Sequence, residues 1–228
     1  MSVLRIDWEW RLLDFLHVGT GLSRAGYAAG AVRLNSQGNA VLEGGGVKGA
    51  IRGAAERLCR ELCRDIPAEK ESDSMPQHPM LRRVFSPDGG RGRGSGPFFR
   101  FPDAFGSEGH LVTLSSTAIN VETGSARQGT LRTVEAWFGG SLRGRVELHC
   151  PDLEAFEAAH PADLDMLTAA ILATDAVGGK KSSGMGAVEC VSLSLSQFAP
   201  AAERVSEARM QRLKDRLQEE AAHALLQA

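Results

Sequence analysis

Gly44-Gly45-Gly46-Val47-Lys48-Gly49-Ala50-Ile51-Arg52-Gly53 is a glycine run that opens directly into a helix. Val47, Ile51, Ala54, Ala55, Leu58 and Leu62 recur at helical spacing, so 47–64 reads as an amphipathic helix. Backbone without a Cβ lets a ligand approach closely, and the free N–H groups of a helix start suit an anion. A second stretch of the same character, Gly178-Gly179-Lys180-Lys181-Ser182-Ser183-Gly184-Met185-Gly186, lies towards the other end of the chain. Two cationic glycine loops in one modest domain predict a surface that holds a polyanionic chain. Lys48 and Arg52 share a face near the helix start, where positive charge opposes the helix dipole unless an anion lies between them. The competing explanation is an Arg52–Glu56 pair on a solvated face.

Before the first glycine run, residues 3–13 alternate, with Leu4, Ile6, Trp8, Trp10 and Leu12 on one side and Arg5, Asp7, Glu9 and Arg11 on the other. A period of two marks a half-buried strand. Leu16-His17-Val18-Gly19-Thr20-Gly21 is a tight glycine turn, and Gly26-Tyr27-Ala28-Ala29-Gly30-Ala31-Val32-Arg33 is too rich in glycine for a stable helix, so it reads as a lid loop. His17 has no partner base or nucleophile at a telling spacing and reads first as a turn histidine bonded to backbone.

After the helix, residues 65–97 read as an insertion and loop, with five prolines and the low-complexity run Gly89-Gly90-Arg91-Gly92-Arg93-Gly94-Ser95-Gly96. Phe98 to Phe101 starts a strand that ends at Pro102-Asp103-Ala104. Residues 111–121 and 131–138 are β-prone runs either side of a polar turn, which predicts a protruding hairpin at about 105–133. Arg143 to Cys150 alternates again as a strand. Pro161 suits the first position of a helix carrying Leu164, Leu167 and Ile171, with Gly178 as its stop. Ala187 to Leu195 is the last strand, and 201–228 a polar C-terminal helix. Strand, helix, strand, strand, helix, strand is the α+β, ferredoxin-like (RRM-like) order, here within a single domain at 1–200.

Net charge is −2, from 26 Lys+Arg against 28 Asp+Glu, so any nucleic-acid surface must come from local clustering. Residues 150–176 carry Asp and Glu but no Lys or Arg, while the cations gather elsewhere, which fits one basic face. Cys59, Cys63, Cys150 and Cys190 show no disulfide spacing, and no signal peptide is visible, so reduced thiols in a cytoplasm are expected. Cys59 and Cys63, one helical turn apart, with His78 beyond, would begin a zinc site but lack an evident fourth ligand.

Taken in order, these pieces resemble the RAMP superfamily of CRISPR systems, most closely the repeating backbone subunit of type III RNA-guided effector complexes. Residues 16–21 resemble the family's "hIG(s/t)G" turn, 44–52 its "PGSSLKGxLR" helix start and 178–186 its "GGxxSRGxG" loop. Phe101-Pro102-Asp103-Ala104, Ala118-Ile119-Asn120 and Thr133-Val134-Glu135 sit where the family has its "DA", hairpin and "E" landmarks. The resemblance implies copies stacked head to tail beside other effector subunits, each holding guide RNA (crRNA) by its backbone. The hairpin would act as a thumb that displaces one nucleotide of the guide–target RNA duplex. Sequence reading is then left to base pairing. On this basis Lys48, Arg52, Lys180, Lys181 and Ser182 contact the RNA backbone, with Gly45, Gly46 and Gly179 allowing close approach.

Target-cleaving members carry an Asp in the lid, in a pattern like "G(I/V)DxPVIR", and use Mg2+. Laid on residues 26–33, that Asp falls at Ala28, and no acid occurs from Thr20 to Leu42. A methyl group neither binds a divalent metal nor acts as a base, so the resemblance implies no cleavage by this chain at that position. Two alternatives within the superfamily are a capping subunit at one end of the complex and a guide-processing endoribonuclease using His17. A nucleotide-binding enzyme would need GxxxxGK[S/T], which is absent.

Overall fold

The alternation of residues 3–13 becomes an eleven-residue strand, β1 (Ser2–Leu12), with Leu4, Ile6, Trp8, Trp10 and Leu12 all buried. The computed structural model describes residues 2–21, 23, 30–62, 79–85 and 98–198. Ala28, Cys63, His78, the Gly/Arg run and the C-terminal helix expected at 201–228 lie outside the described residues.

Beyond β1 come β2 (Val41–Leu42), α1 (Gly44–Leu62), α2 (Pro79–Phe85), β3 (Phe98–Arg100) and β4 (Ala104–Ser107). A hairpin of β5 (His110–Ser116) and β6 (Arg132–Phe138) follows, then β7 (Ser141–Cys150), α3 (Leu153–Ala159), α4 (Pro161–Leu172) and β8 (Val188–Phe198). The main sheet runs β2-β4-β7-β1-β8, with β3 also on β7, and its pairings are antiparallel. Its path β4-β7-β1-β8, with α1 and α4 as the two crossovers, is the ferredoxin-like arrangement expected.

One face of this sheet meets the helices. Ile6, Trp8, Trp10 and Leu12 pack with Val47, Ile51, Ala54 and Ala55 of α1 and with Leu167, Ala170 and Ile171 of α4. Trp8 and Trp10 stack at 3.7 Å between ring centroids, and the Trp10 indole N–H donates to the Ile171 carbonyl at 3.1 Å. Gly144, opposite Trp8 in the register, has no room for a side chain, since a Cβ there would lie 2.3 Å from the indole ring. On the other face the charges answer one another along and across strands. Arg145 pairs with Glu147 along β7 at 2.7 Å and Arg143 reaches across to Glu9 of β1 at 3.1 Å, while Asp7 stands opposite Arg145. Burial, only partly offset by Arg5 and Arg145, lifts the Asp7 carboxyl above its ordinary pKa. That face is neutralised within itself.

Four expectations change. The insertion read as loop contains α2, whose Met80, Leu81, Val84 and Phe85 are buried on the helical layer. The strand expected to end at Ala104 is two pieces, β3 and β4, interrupted at Pro102, because proline has no N–H for the ladder. The hairpin is shifted C-terminally, with arms at 110–116 and 132–138. Helix α4 stops with Ala173 as its C-cap, well before Gly178, and a further short helix, α3, precedes it with Asp152 as N-cap.

Nothing in the pattern of 79–85 pointed to its partner on α4. Arg83 makes two hydrogen bonds of 2.7 Å to both carboxylate oxygens of Asp163, which is 1% exposed. Removing the guanidinium leaves a buried carboxylate without its counter-charge. Arg83→Ala is therefore expected to lower stability by about 2 kcal/mol in urea unfolding, with Arg83→Lys recovering only part, since an ammonium does not reproduce the fork.

Candidate nucleic-acid interface

The candidate site is assembled on the end of β1. Leu16 and Trp137 exchange backbone hydrogen bonds of 2.8 Å in both directions, which ties the turn after β1 to β6 of the hairpin. The two ends of the lid then close on each other: Thr20 N–H donates to Ala31 O at 3.0 Å and Arg33 N–H to Val18 O at 2.9 Å.

Glu135 holds this junction. It is wholly buried, and its Oε2 accepts from Val32 N–H at 3.0 Å. Its own N–H donates to Gly30 O at 2.9 Å, and its carbonyl accepts from His17 Nδ1 at 2.8 Å. A carbonyl only accepts, so His17 Nδ1 carries the proton of this bond. The imidazole lies against the lid ends: a Cβ at Gly19 or Gly30 would come within 3.1 or 3.2 Å of it. His17 is thus a turn histidine bonded to backbone.

The second glycine loop docks on that same turn. Gly179 N–H donates to His17 O at 2.8 Å and Gly186 N–H to Phe15 O at 2.7 Å. Gly186 has φ +85° and a Cβ there would meet Val177 O at 2.0 Å, so the fold itself requires glycine. Lys180, at φ +59°, starts a single 3-10 turn, Lys181–Ser183, and Gly179, Lys180, Lys181 and Ser182 are all exposed.

Helix α1 supplies the opposite wall. Its first N–H, from Gly44, is taken by Asp103 Oδ1 at 2.8 Å, and a Cβ on Gly44 would lie 2.0 Å from Phe101 O. Gly45 and Gly49 differ. Nothing lies within 4 Å of where their Cβ would stand, and neither has a positive φ. A mid-helix glycine costs about 1 kcal/mol relative to alanine. The fold has no use for its bareness here, whereas a ligand would.

These walls enclose a cleft of about 440 Å³. Val18 and Gly19 line it from the turn after β1, Leu42 and Glu43 from the end of β2 and the residue after it, and Gly46, Gly49 and Ala50 from the start of α1. Gly178, Gly179 and Lys181 close it from the second loop. The two glycine loops, some 130 residues apart in sequence, therefore meet on one concave surface.

Of the residues singled out in the sequence, Gly46, Gly179 and Lys181 line the cleft, and Gly45, Lys180 and Ser182 are exposed on the same two segments. Lys48 and Arg52 sit on the other flank of α1. The Lys48 ammonium is 6.0 Å from the centre of the Phe101 ring, and burial, then the Arg52 charge, pulls its pKa below the ordinary value. Arg52 donates to Glu56 at 2.7 Å, the i,i+4 pair weighed against a ligand role. Glu135 stood at the resemblance's "E" landmark without a stated role, and Glu43, immediately before the glycine run, had no periodicity or motif to mark it. Among the described residues no cluster of three or more His, Cys, Asp or Glu is placed to hold a metal, and Cys59, Cys150 and Cys190 form no disulfide. No described helix is long and apolar enough to cross a membrane.

A chain of the type III-B Cmr-beta complex in its apo state, solved by cryo-EM, superposes with a TM-score of 0.52 at 12% identity, covering 82% of this chain and 96% of that one. A chain of the same complex bound to cognate target RNA gives 0.53 at 13% identity with the same coverage. At such identities the likeness shows a shared fold. No curated protein matches the sequence. The profile of the RAMP superfamily matches residues 11–189, from the end of β1 into β8 and across both glycine loops, so this chain is a member of the RAMP superfamily.

Proposed function

We propose that this chain is a guide-RNA-holding subunit of a type III CRISPR ribonucleoprotein, supporting the guide–target RNA duplex without cutting it. The observation that carries this is the convergence of two glycine loops on one cleft, one of whose walls bears a glycine, Gly49, that the fold does not demand. Bare backbone and a lysine suit a sugar–phosphate chain and are indifferent to base identity, which fits reading by a complementary strand. Gly45, Gly46 and Gly179 would let the RNA approach, Lys180, Lys181 and Ser182 would contact phosphates, and Lys48 and Arg52 would border its path. The β5–β6 hairpin is the candidate thumb, and copies of the chain with other effector subunits are the candidate partners. The resemblance of the fold to chains of Cmr-beta complexes, one of them solved with cognate target RNA, supports this assembly.

Cleavage is not part of the proposal. Mg2+ needs a set of oxygen donors, and residues 20–42 contain no carboxylate, with Ala28 at the position of the family's Asp. The flanking Glu43 is engaged by Arg33 at 2.9 Å. The donor set does not fit the metal.

Salt dependence tests the binding site. Each phosphate neutralised on single-stranded nucleic acid contributes about 0.7 to the slope of log affinity against log salt. Replacing both Lys180 and Lys181 by Ala should flatten that slope by about 1.4 for every RNA sequence tried. An unchanged slope would remove this loop from the interface.

A further inference from the structure

We infer that Glu43 makes the cleft selective for RNA over DNA, by accepting a hydrogen bond from a ribose 2′-hydroxyl. This rests on the nucleic-acid reading above and deepens it. The charged side chains lining the cleft are Lys181 and Glu43. A carboxylate in a groove for phosphates is unfavourable unless it is neutralised and has a donor to meet. Arg33 provides the first condition, its guanidinium lying 2.9 Å from Glu43 Oε1. The main chain is held at both residues: Arg33 N–H donates to Val18 O at 2.9 Å, and Glu43 O accepts from Val47 N–H at 2.9 Å in the first turn of α1.

The Arg33 contact is made at Oε1, and a carboxylate carries more lone pairs than one ion pair uses. A carboxylate accepts and never donates. Within a nucleotide chain the sugar–phosphate backbone offers one donor, the 2′-hydroxyl, and it is the group that distinguishes RNA from DNA at a given contact. Ribose in the cleft satisfies Glu43. Deoxyribose presents a methylene, leaving a desolvated carboxylate beside phosphate oxygens.

The test compares an RNA and a 2′-deoxy oligonucleotide of one sequence, at one salt concentration, by fluorescence anisotropy with the full-length protein. Wild-type protein is expected to prefer RNA by about tenfold or more, a preference worth about 1.4 kcal/mol. Glu43→Ala should bring the two affinities within about twofold of each other. Glu43→Gln, whose amide oxygen still accepts, should keep most of the preference. An unchanged RNA-to-DNA ratio in Glu43→Ala overturns the inference, as does an equal rise in both affinities, which would mean that Glu43 only repels. Failure of wild-type protein to bind either oligonucleotide overturns the nucleic-acid reading and this inference together.

Discussion

Gly49→Ala is expected to stabilise the folded protein and at the same time weaken its hold on RNA at least tenfold. Alanine in place of a helical glycine restricts the unfolded chain and fits the helix, which is worth about 0.5–1 kcal/mol where the backbone is compatible. Here it is compatible, with no positive φ and no atom within 4 Å of the new methyl. Melting should therefore rise by a few degrees. The same methyl stands in the cleft, where Gly49 is exposed and forms part of the wall. A sugar–phosphate chain in contact with bare backbone must then move away, and a bulkier Gly49→Leu should cost about a hundredfold, or roughly 2.7 kcal/mol. Gly53→Ala is the control. It lies one turn further along α1, has equally open space around it, and is not among the residues of the cleft wall. It should gain similar stability and bind as wild type. If Gly49→Ala binds RNA with unaltered affinity, the cleft is not where the backbone runs.

Glu135→Ala should have the largest effect on folding. The carboxylate is wholly buried and takes the Val32 N–H at 3.0 Å. Its removal strands a buried donor and leaves a void, together costing about 3 kcal/mol. Glu135→Gln keeps an accepting oxygen and should cost about 1 kcal/mol. The loss should also be local. Amide exchange at Val32 is expected to accelerate by more than global destabilisation explains, because the lid end is released from β6. Protection at Val32 that tracks only the global stability would refute a clamp at this junction. Since Gly19 is both a lid end and a wall of the cleft, RNA binding should weaken in the alanine variant as well.

Both predictions concern positions whose importance was unevenly visible in the amino-acid order. Alternation over residues 3–13 and 143–150, the helical stripes of α1 and α4, and the two glycine runs were legible because each is a local pattern with a period of its own. Helix α2 was hidden by its surroundings, a proline-rich polar stretch in which seven residues are too few to show a period. The run at 131–138 was legible as a strand although β6 is buried from Val134 to Trp137 without alternating, pinned between β5 and the lid ends, whereas the first arm ends at Ser116 and the hairpin reaches past 133.

Local order along the chain thus determined which residues form strands and helices, and that two bare cationic loops exist. Only the tertiary structure decided that those loops face each other, that Lys181 joins the cleft while Lys48 and Arg52 turn to the other flank of α1, and that Glu135 locks the lid. The reason is physical. Periodicity records which face of an element is buried, but not which distant element covers it. The contact of Gly179 with His17 spans the whole ferredoxin-like sheet in sequence and arises only once β1, β6 and β8 have been brought together.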